Sequence, residues 1–448
     1  MENPEIETAI LGALLLEKEA ILRLEPALPV EAFTSPARQE TYAAILELFQ
    51  RGDPIDLLSV KACLKRKGRF QKVGNLALTE YLGAVASSAN LSYHAQLLLE
   101  AYLGRQLSEM GLRLRSKAQD PTEDVFDLIE SISSDLLQLE YGLKAGQSPR
   151  WDRLLVQAVE TAEERVKARE AGESVGRGIL SGLPSLDGVL QGLQAGELVL
   201  LAARPGMGKS SLMRQLMLEA LRQSVPVLLF SLEMSAQQVT EGLLANAAGI
   251  PARSLRLGQL DPGELDRYQG VAGELYRADL TIDDSGGLNV MALRARTTRW
   301  RLKRKEAPIG LLCVDYLQLL QGSQRFRKSS QRHLELGEIS RALKELALNH
   351  RLAVLALSQL NREVDKRPDP RPMLSDLRQS GNLEQDADKV LFLYRPAYYA
   401  TMQGREARDA EGNDLSDLAL VLLAKHRTGA TGEVALKWEA ERMGFGDG

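Results

Sequence analysis

The stretch Glu197–Ser211, ELVLLAARPGMGKSS, limits more than any other what this chain can fold into. Its first half is a short apolar run without a polar break, the pattern of a central parallel strand. Arg204-Pro205-Gly206-Met207-Gly208 cannot extend that strand. Pro205 lacks a ladder donor, and the two glycines open backbone conformations closed to other residues. Lys209-Ser210-Ser211 then begins a helical pattern. Strand, loop and helix start together present backbone N–H groups and the positive end of a helix to one concavity, which suits a polyphosphate. Lys209 is placed to reach the β- and γ-phosphates, and the Ser210 hydroxyl to bind the accompanying magnesium. The pattern departs from G-x-x-x-x-G-K-[ST] only at Ala203, which holds the first glycine position. The expected cradle is therefore Ala203, Arg204, Pro205, Gly206, Met207, Gly208, Lys209, Ser210 and Ser211. The alternative, a chance Gly-Lys-Ser in a surface turn, is disfavoured by the flanking strand and helix.

From about Leu183 onward, apolar strands alternate with helices, the signature of an α/β domain with a mainly parallel sheet. Strands are expected at 198–203, 226–231, 279–283, 309–315, 352–358, 388–394, 418–424 and 433–438, and helices at 209–222, 236–248, 290–305, 330–349 and 373–385. The region before it reads as helical. Ile6, Ala9, Ile10, Ala13 and Leu14 repeat at helical spacing. A second helix runs from Ala37 to Arg51, with Gly52 able to cap it, and a third follows Pro54-Ile55-Asp56 and ends near Gly68. Residues 92–118 and 123–141 form a helical hairpin about Asp120-Pro121. Its apolar stripe can pack within the domain or against another copy. Residues 142–150, GLKAGQSPR, and the later GESVGRG read as linkers around an amphipathic helix at 151–171. That lone helix has no local core to cover, so it docks either on a neighbouring subunit or on its own C-terminal domain. The resulting division is a helical domain over 1–141, a linker over 142–182 and an α/β domain over 183–448.

Ligands of doubly wound sheets sit at the carboxyl ends of the strands. Four such ends here carry polar groups suited to one crevice. The phosphate loop follows the first. Phe230-Ser231-Leu232-Glu233 places a carboxylate able to orient and deprotonate an attacking water. Asp315 ends the 309–315 strand in the position of a carboxylate supporting the metal. Gln359 ends the 352–358 strand, where an amide can sense the γ-phosphate. Each alone could be a polar strand cap, but four beside a phosphate loop are hard to explain as packing. Two basic loops follow. One carries Arg325, Arg327 and Lys328 around an aromatic, and the other leads to Asp376-Leu377-Arg378-Gln379-Ser380-Gly381. Such loops suit a nucleic-acid backbone or are simply solvated surface. Lys425 and Arg427, one residue apart on an extended chain, project to the same side. They either complete a neighbour's nucleotide site, in the manner of an arginine finger, or are ordinary exposed basics.

Taken together these residues resemble the bacterial replicative DNA helicase family, the DnaB type, over nearly the whole chain. The N-terminal marks are ETAILGALLL, Gly52-Asp53-Pro54-Ile55-Asp56-Leu57 and Val73-Gly74-Asn75. The C-terminal marks are SGLPSLDGVLQGLQAGELVLLAARPGMGKS, FSLEM, TIDDSGGLNV, VDYLQLL, ALSQLNR, DLRQSGNLEQDAD and AKHRTGATG. The family commonly carries alanine where Ala203 stands. The resemblance implies a RecA-like ATPase domain, a helical N-terminal collar domain that meets primase, and a homohexameric ring. That ring uses ATP and Mg2+ to move 5′ to 3′ on single-stranded DNA and unwind the duplex, with a helicase loader and primase as partners. By resemblance, Lys209 and Ser210 hold phosphate and magnesium, Asp315 supports the metal, Glu233 is the catalytic base and Gln359 the sensor. Lys425 and Arg427 act on the neighbour's ATP. Arg378, Gln379 and Gly381 lie on the loop that contacts DNA, and the 151–171 helix docks on the next subunit. The chain departs from the family pattern at Gly206, often serine, Gln379, usually glutamate, and Ala430, frequently proline.

Composition narrows the setting. A net charge of −4 assigns any nucleic-acid contact to local basic patches. No apolar run reaches the length of a membrane span, and MENPEIE lacks the basic start of a secretion signal, so a cytoplasmic protein without membrane contact is expected. Cys63 and Cys313 sit in apolar stretches, read as buried thiols, and cannot form a four-cysteine zinc site. Two rival functions are a RecA-like ATPase that remodels DNA or protein without unwinding, and a scaffold that only binds nucleotide. The helical N-terminal domain with its linker helix disfavours the first; Lys209, Glu233 and Asp315 together disfavour the second.

Overall fold

The computed structural model describes residues 3–17, 19–24, 28–85, 87–120, 151–170, 178–322, 332–402, 404–408 and 411–447, with isolated positions between 122 and 139. The chain falls into two compact units, Met1–Gln157 and Ala158–Gly448. The first is helical: α1 (Pro4–Leu16), α2 (Pro36–Arg51), α3 (Leu57–Arg66), α4 (Phe70–Gly83) and α5 (Leu91–Ala118). Ile10, Leu11 and Leu14 of α1 are buried with Tyr42 and Ile45 of α2 and with Leu64, Leu78 and Leu98. Gly52 caps α2 in the left-handed conformation, as its sequence position implies. Asp56 caps α3 through the Ser59 N–H. Glu7, fully buried near the start of α1, accepts from the Thr34 N–H and hydroxyl and from Arg38, so its charge is compensated. The helix α4 lies in the region read as helical but was not marked there as a separate element. Gly74, at φ +76° and ψ +166°, interrupts its helical path and its apolar periodicity. Most of 123–141, the linker 142–150 and all of GESVGRG except Gly178 lie outside the described residues. The amphipathic helix between them, α6, spans Trp151–Glu170.

The second unit contains α7 (Pro184–Leu190), β1 (Leu198–Ala203), α8 (Lys209–Arg222), β2 (Val227–Ser231), α9 (Ala236–Ala248), α10 (Ala252–Leu257) and α11 (Pro262–Leu275). It continues through β3 (Leu280–Asp283), α12 (Val290–Leu302), β4 (Gly310–Asp315), α13 (Arg332–His350) and β5 (Leu352–Gln359). It ends with α14 (Gly381–Asp386), β6 (Lys389–Tyr394), α15 (Pro396–Met402), β7 (Leu418–His426), β8 (Gly432–Glu439) and β9 (Gly444–Asp447). One nine-stranded sheet runs in the order β3-β2-β4-β5-β1-β6-β7-β8-β9. The strands from β3 to β6 are parallel, and β7, β8 and β9 continue it antiparallel. Every residue of β1 is buried. Val199, Leu201 and Ala203 face the layer containing α8 and α9, and Leu198, Leu200 and Ala202 face the layer containing α12 and α13. Burial on both faces is why the strand reads as an unbroken apolar run.

The expected strands lie within about two residues of those found. The expected helix at 373–385 is a 3-10 turn, Leu374–Ser380, followed by the short α14. The sequence reading passed over α11, whose apolar stripe of Tyr268, Val271, Ala272 and Leu275 is only half-buried. Its start was legible in Asp261 and Glu264, which form a reciprocal capping box. It also passed over β9, whose Gly-Phe-Gly-Asp sequence has little strand signal.

The amino-terminal edge of the parallel strands is tied by charge. The Asp388 carboxylate, buried just before β6, accepts from the Leu198 N–H at 2.8 Å, Lys344 Nζ at 2.6 Å and Arg427 Nη1 at 3.1 Å. Beside it, the buried Lys389 donates to the Gly192 carbonyl at 2.9 Å and to Glu197 at 2.7 Å. Removing one member of such a cluster strands the others in a dry environment. Asp388→Ala is expected to destabilise the second unit by about 3–5 kcal/mol, read as a lower denaturation midpoint for that unit, whereas a surface change such as Lys366→Ala stays within about 0.5 kcal/mol.

Candidate nucleotide-binding site

The loop between β1 and α8 is shaped by two left-handed glycines, Gly206 at φ +78° and Gly208 at φ +99°. At Gly208 an added Cβ would lie 2.9 Å from the Trp438 ring and 3.0 Å from Phe445, so the loop rests on β8 and β9 with no space for a side chain. These rings pack on each other with centroids 4.9 Å apart. Met207 is buried beneath the loop. Above it opens a cavity of about 520 Å3 lined by Gly206, Gly208, Lys209, Ser210, Ser211, Glu233, Asp315 and Gln359 among others. The structure thus brings together at one cavity the residues picked out at four strand ends.

Hydrogen bonds between strand ends fix that arrangement. The Ser231 hydroxyl at the end of β2 donates to the Met234 carbonyl at 2.6 Å, which forms the turn carrying Glu233. The Leu232 N–H donates to the Asp315 carbonyl at 2.9 Å, tying that turn to the end of β4. Gln318, just after β4, brackets the end of β5. Its amide donates to Ser358 at 3.0 Å and to the Gln359 carbonyl, and its oxygen accepts from the Gln359 N–H. The Leu360 N–H then donates to the Ala203 carbonyl at 3.2 Å, the same oxygen that takes Lys209 Nζ at 3.3 Å.

The electrostatics fit a highly charged ligand. Burial pulls Lys209 below the ordinary lysine range, opposed by the carboxylates of Asp315 and Glu233. Burial pushes Asp315 above the ordinary carboxylate range, opposed first by its hydrogen bond with Ser210 and also by Lys209 and Arg214. A hydroxyl bonded to a buried carboxylate is an all-oxygen donor set suited to a hard divalent cation such as magnesium.

Other candidates fall elsewhere. The Arg204 side chain turns away from the phosphate loop. It forms an ion pair with Asp365 at 2.8 Å and donates to the Leu360 carbonyl, leaving its backbone to serve the cradle. Lys425 and Arg427 do project to the same side. Lys425 Nζ donates to the Glu384 carbonyl at 2.6 Å, and Arg427 donates to Gln385 and Asp388. Because β7 runs antiparallel to β6, this pair lies at the sheet edge opposite the chain's own phosphate loop. Arg378 and Gln379 sit on the 3-10 turn and Gly381 opens α14, with side chains outside the described residues. Arg325, Arg327 and Lys328 lie wholly outside them. Cys63 and Cys313 are free and buried.

Sequence reasoning missed Arg214, Trp438 and Arg442, which also line the cavity. Arg214 left a signal, as a charge inside the apolar run LMRQLML one turn past Ser210. Trp438 and Arg442 left none, because only the tertiary fold carries the C-terminal strands to the loop.

A phosphate loop after the first strand of a mainly parallel sheet, with a carboxylate, an amide and a second carboxylate at neighbouring strand ends, defines a RecA-like P-loop nucleotide hydrolase. Within that class, the chain belongs to the DnaB-like helicase family. The family's C terminal domain matches residues 178–447 and its N terminal domain residues 1–100. The chain is 34% identical to the replicative DNA helicase DnaB of Geobacillus stearothermophilus, over 99% of this chain and 94% of that one. It is 32% identical to the replicative DNA helicase DnaC of Bacillus subtilis (strain 168), with the same coverage of both. Among solved structures it is similar to a DnaB-like replicative helicase described with its interactions with primase, at 29% identity and a TM-score of 0.69 over 99% of this chain and 100% of that one. It is also similar to an ATPase domain solved on its own, at 31% identity and a TM-score of 0.58 over 67% of this chain and 99% of that one.

A raised carboxyl pKa means that the folded state binds the Asp315 proton more tightly than the unfolded state, so this group's contribution to stability falls as pH rises through the folded value. Asp315→Asn is therefore expected to raise the melting temperature of the nucleotide-free protein at pH 8, with the gain shrinking as pH falls toward the ordinary carboxylate range. The same variant should lose most magnesium-dependent ATP hydrolysis, so melting curves and turnover should move in opposite directions.

Proposed function

We propose that this chain is the ATP-driven helicase of the replication fork, a homohexameric ring that moves 5′ to 3′ on single-stranded DNA and separates the duplex. The observation that carries this reading is the convergence of Lys209, Ser210, Glu233, Asp315 and Gln359 on one cavity in a member of the DnaB-like helicase family. Lys209 and the loop amides hold the polyphosphate of ATP. Ser210 and Asp315 would hold Mg2+, which when bound screens charge on the β- and γ-phosphates. Glu233 orients the attacking water and takes its proton, and Gln359 senses the γ-phosphate.

Lys425 and Arg427 serve a neighbouring subunit. Their own phosphate loop lies about 20 Å away, the length of a six-residue strand at about 3.3 Å per residue. A cation at that edge reaches a transferred phosphoryl group only across a seam between copies. The α6 helix supports the same assembly, since Trp151, Leu155, Val156 and Val159 form an exposed apolar set that docks on the next subunit. Residues 183–448 form the motor, 142–182 the linker and 1–141 the collar, which meets primase as the DnaB-like relative described with primase does. Arg325, Arg327, Lys328, Arg378, Gln379 and Gly381 belong to the loops that meet the DNA backbone. A loader places the ring on DNA in the cytoplasm. Among the described residues no helix is long and apolar enough to cross a membrane.

Glu233→Ala is expected to bind ATP with affinity within about threefold of wild type yet lose at least about 100-fold in DNA-stimulated hydrolysis. Unchanged turnover removes Glu233 as the base. On forked duplexes with ATP, wild-type protein should release strands only when the fork carries a 5′ tail. Hydrolysis without release on either tail would instead favour a remodelling ATPase.

A further inference from the structure

Arg214 stands one turn beyond Ser210 and Ser211 on α8, where a side chain points back toward the helix amino terminus. It lines the nucleotide cavity. Its Nη2 donates to the Ser211 hydroxyl at 3.3 Å, while its Nε is shielded from solvent and has no hydrogen-bond partner among the described residues. A shielded guanidinium donor left unmade is costly, so such groups ordinarily have an acceptor to meet. The facing helix leaves room for it. An added Cβ at Gly242 of α9 would lie 2.4 Å from Arg214 Nη1, so the guanidinium occupies the space that glycine opens. Carboxylate pairing does not explain it either. Arg214 forms no salt bridge within 4.0 Å among the described residues, though it feels the more distant charge of Asp315. A guanidinium kept unpaired at a cavity wall suits an anion that arrives from outside.

Position selects which part of the ligand it meets. Lys209 reaches toward the β- and γ-phosphates and Ser210 toward the metal. Ser211 begins the far side of the cradle, where the loop and helix amides meet the α- and β-phosphates. Arg214 stands beside Ser211, to whose hydroxyl it donates, on the helix turn that follows the cradle. We propose that Arg214 is a substrate-binding residue that grips the α-phosphate of the nucleotide from the chain's own side of the site. This rests on the nucleotide site proposed above and adds a cation that serves diphosphate and triphosphate alike. Gly242 is its positioning partner.

The test is calorimetric titration of the full-length protein with ADP and with a non-hydrolysable ATP analogue, both with magnesium. Arg214→Gln keeps length and polarity but removes the charge. It is expected to weaken both nucleotides by the same factor, about tenfold or more. Arg214→Lys restores the charge and should recover most of that loss, which a purely structural role would not require. Thermal melts of both variants should stay near wild type. Arg214→Gln within about twofold of wild type for ADP overturns the inference, and so does a loss confined to the triphosphate, which would place the group at the γ end. If Arg214→Gln unfolds, Arg214→Lys decides alone: ADP affinity unchanged with Lys supports a grip by charge, and a full tenfold loss with Lys overturns it. Wild-type protein that binds neither nucleotide would bring down the nucleotide site itself, an outcome separable from the failure of Arg214 alone.

Discussion

Burial of β1 on both faces is the constraint on which the rest of the structure depends. A strand paired on both edges, to β5 and β6, and close-packed between two apolar layers is held in one position, because any slip would break both ladders and repack both layers. Its two ends are therefore fixed points. At the carboxyl end the chain must turn sharply into α8, and Gly206 and Gly208 supply the left-handed backbone that brings successive amides toward one cavity. At the amino end the Leu198 N–H is held by Asp388, which also binds Lys344 and Arg427. One rigid strand thus spans the distance between the chain's own phosphate cradle and the basic pair proposed to serve its neighbour's.

Charge is handled differently at those two ends. At the amino end the buried ions satisfy one another, Asp388 with the Leu198 N–H and Lys344, and Lys389 with Glu197 and a carbonyl, while the half-exposed Arg427 only adds to Asp388 from the rim. At the carboxyl end compensation is incomplete. Among the described residues Lys209 has only the Ala203 carbonyl at 3.3 Å and Arg214 keeps an unpartnered Nε, while burial raises Asp315. The closed set stabilises the fold, whereas the open set holds charge ready for a ligand that brings its own. A site of this kind is less stable empty than filled, which is the thermodynamic condition for nucleotide to be gripped and released in turn.

Much of this was legible in the residues themselves. The buried strands declared themselves as apolar runs, the phosphate loop by its glycines before Lys209-Ser210, and Glu233, Asp315 and Gln359 by their place at strand ends. What was not legible shares one cause, because each missed feature depends on partners distant in sequence. Trp438 and Phe445 lie more than 200 residues after the loop they support, and nothing local to them speaks of phosphate. Gly242 looks like an ordinary helical glycine until Arg214 is seen to occupy the space beside it. The helix α11 buries no residue fully, and α4 is broken at Gly74. Arg204 shows that loop position does not fix where a side chain goes. Its backbone belongs to the loop, while Asp365 holds its side chain against the segment after β5.

The central claim is that each nucleotide site is built from two copies of the chain, the loop of one and Arg427 of the next. Mixing two inactive variants tests it directly. Lys209→Ala lacks the cradle but keeps the basic pair; Arg427→Ala lacks the finger but keeps the cradle. If sites form across seams, rings assembled from both contain seams with an intact Lys209 facing an intact Arg427. DNA-stimulated ATP hydrolysis should then appear in the mixture although neither parent shows it. A mixture no more active than its separate components, with co-assembly verified by mass, would contradict the shared site.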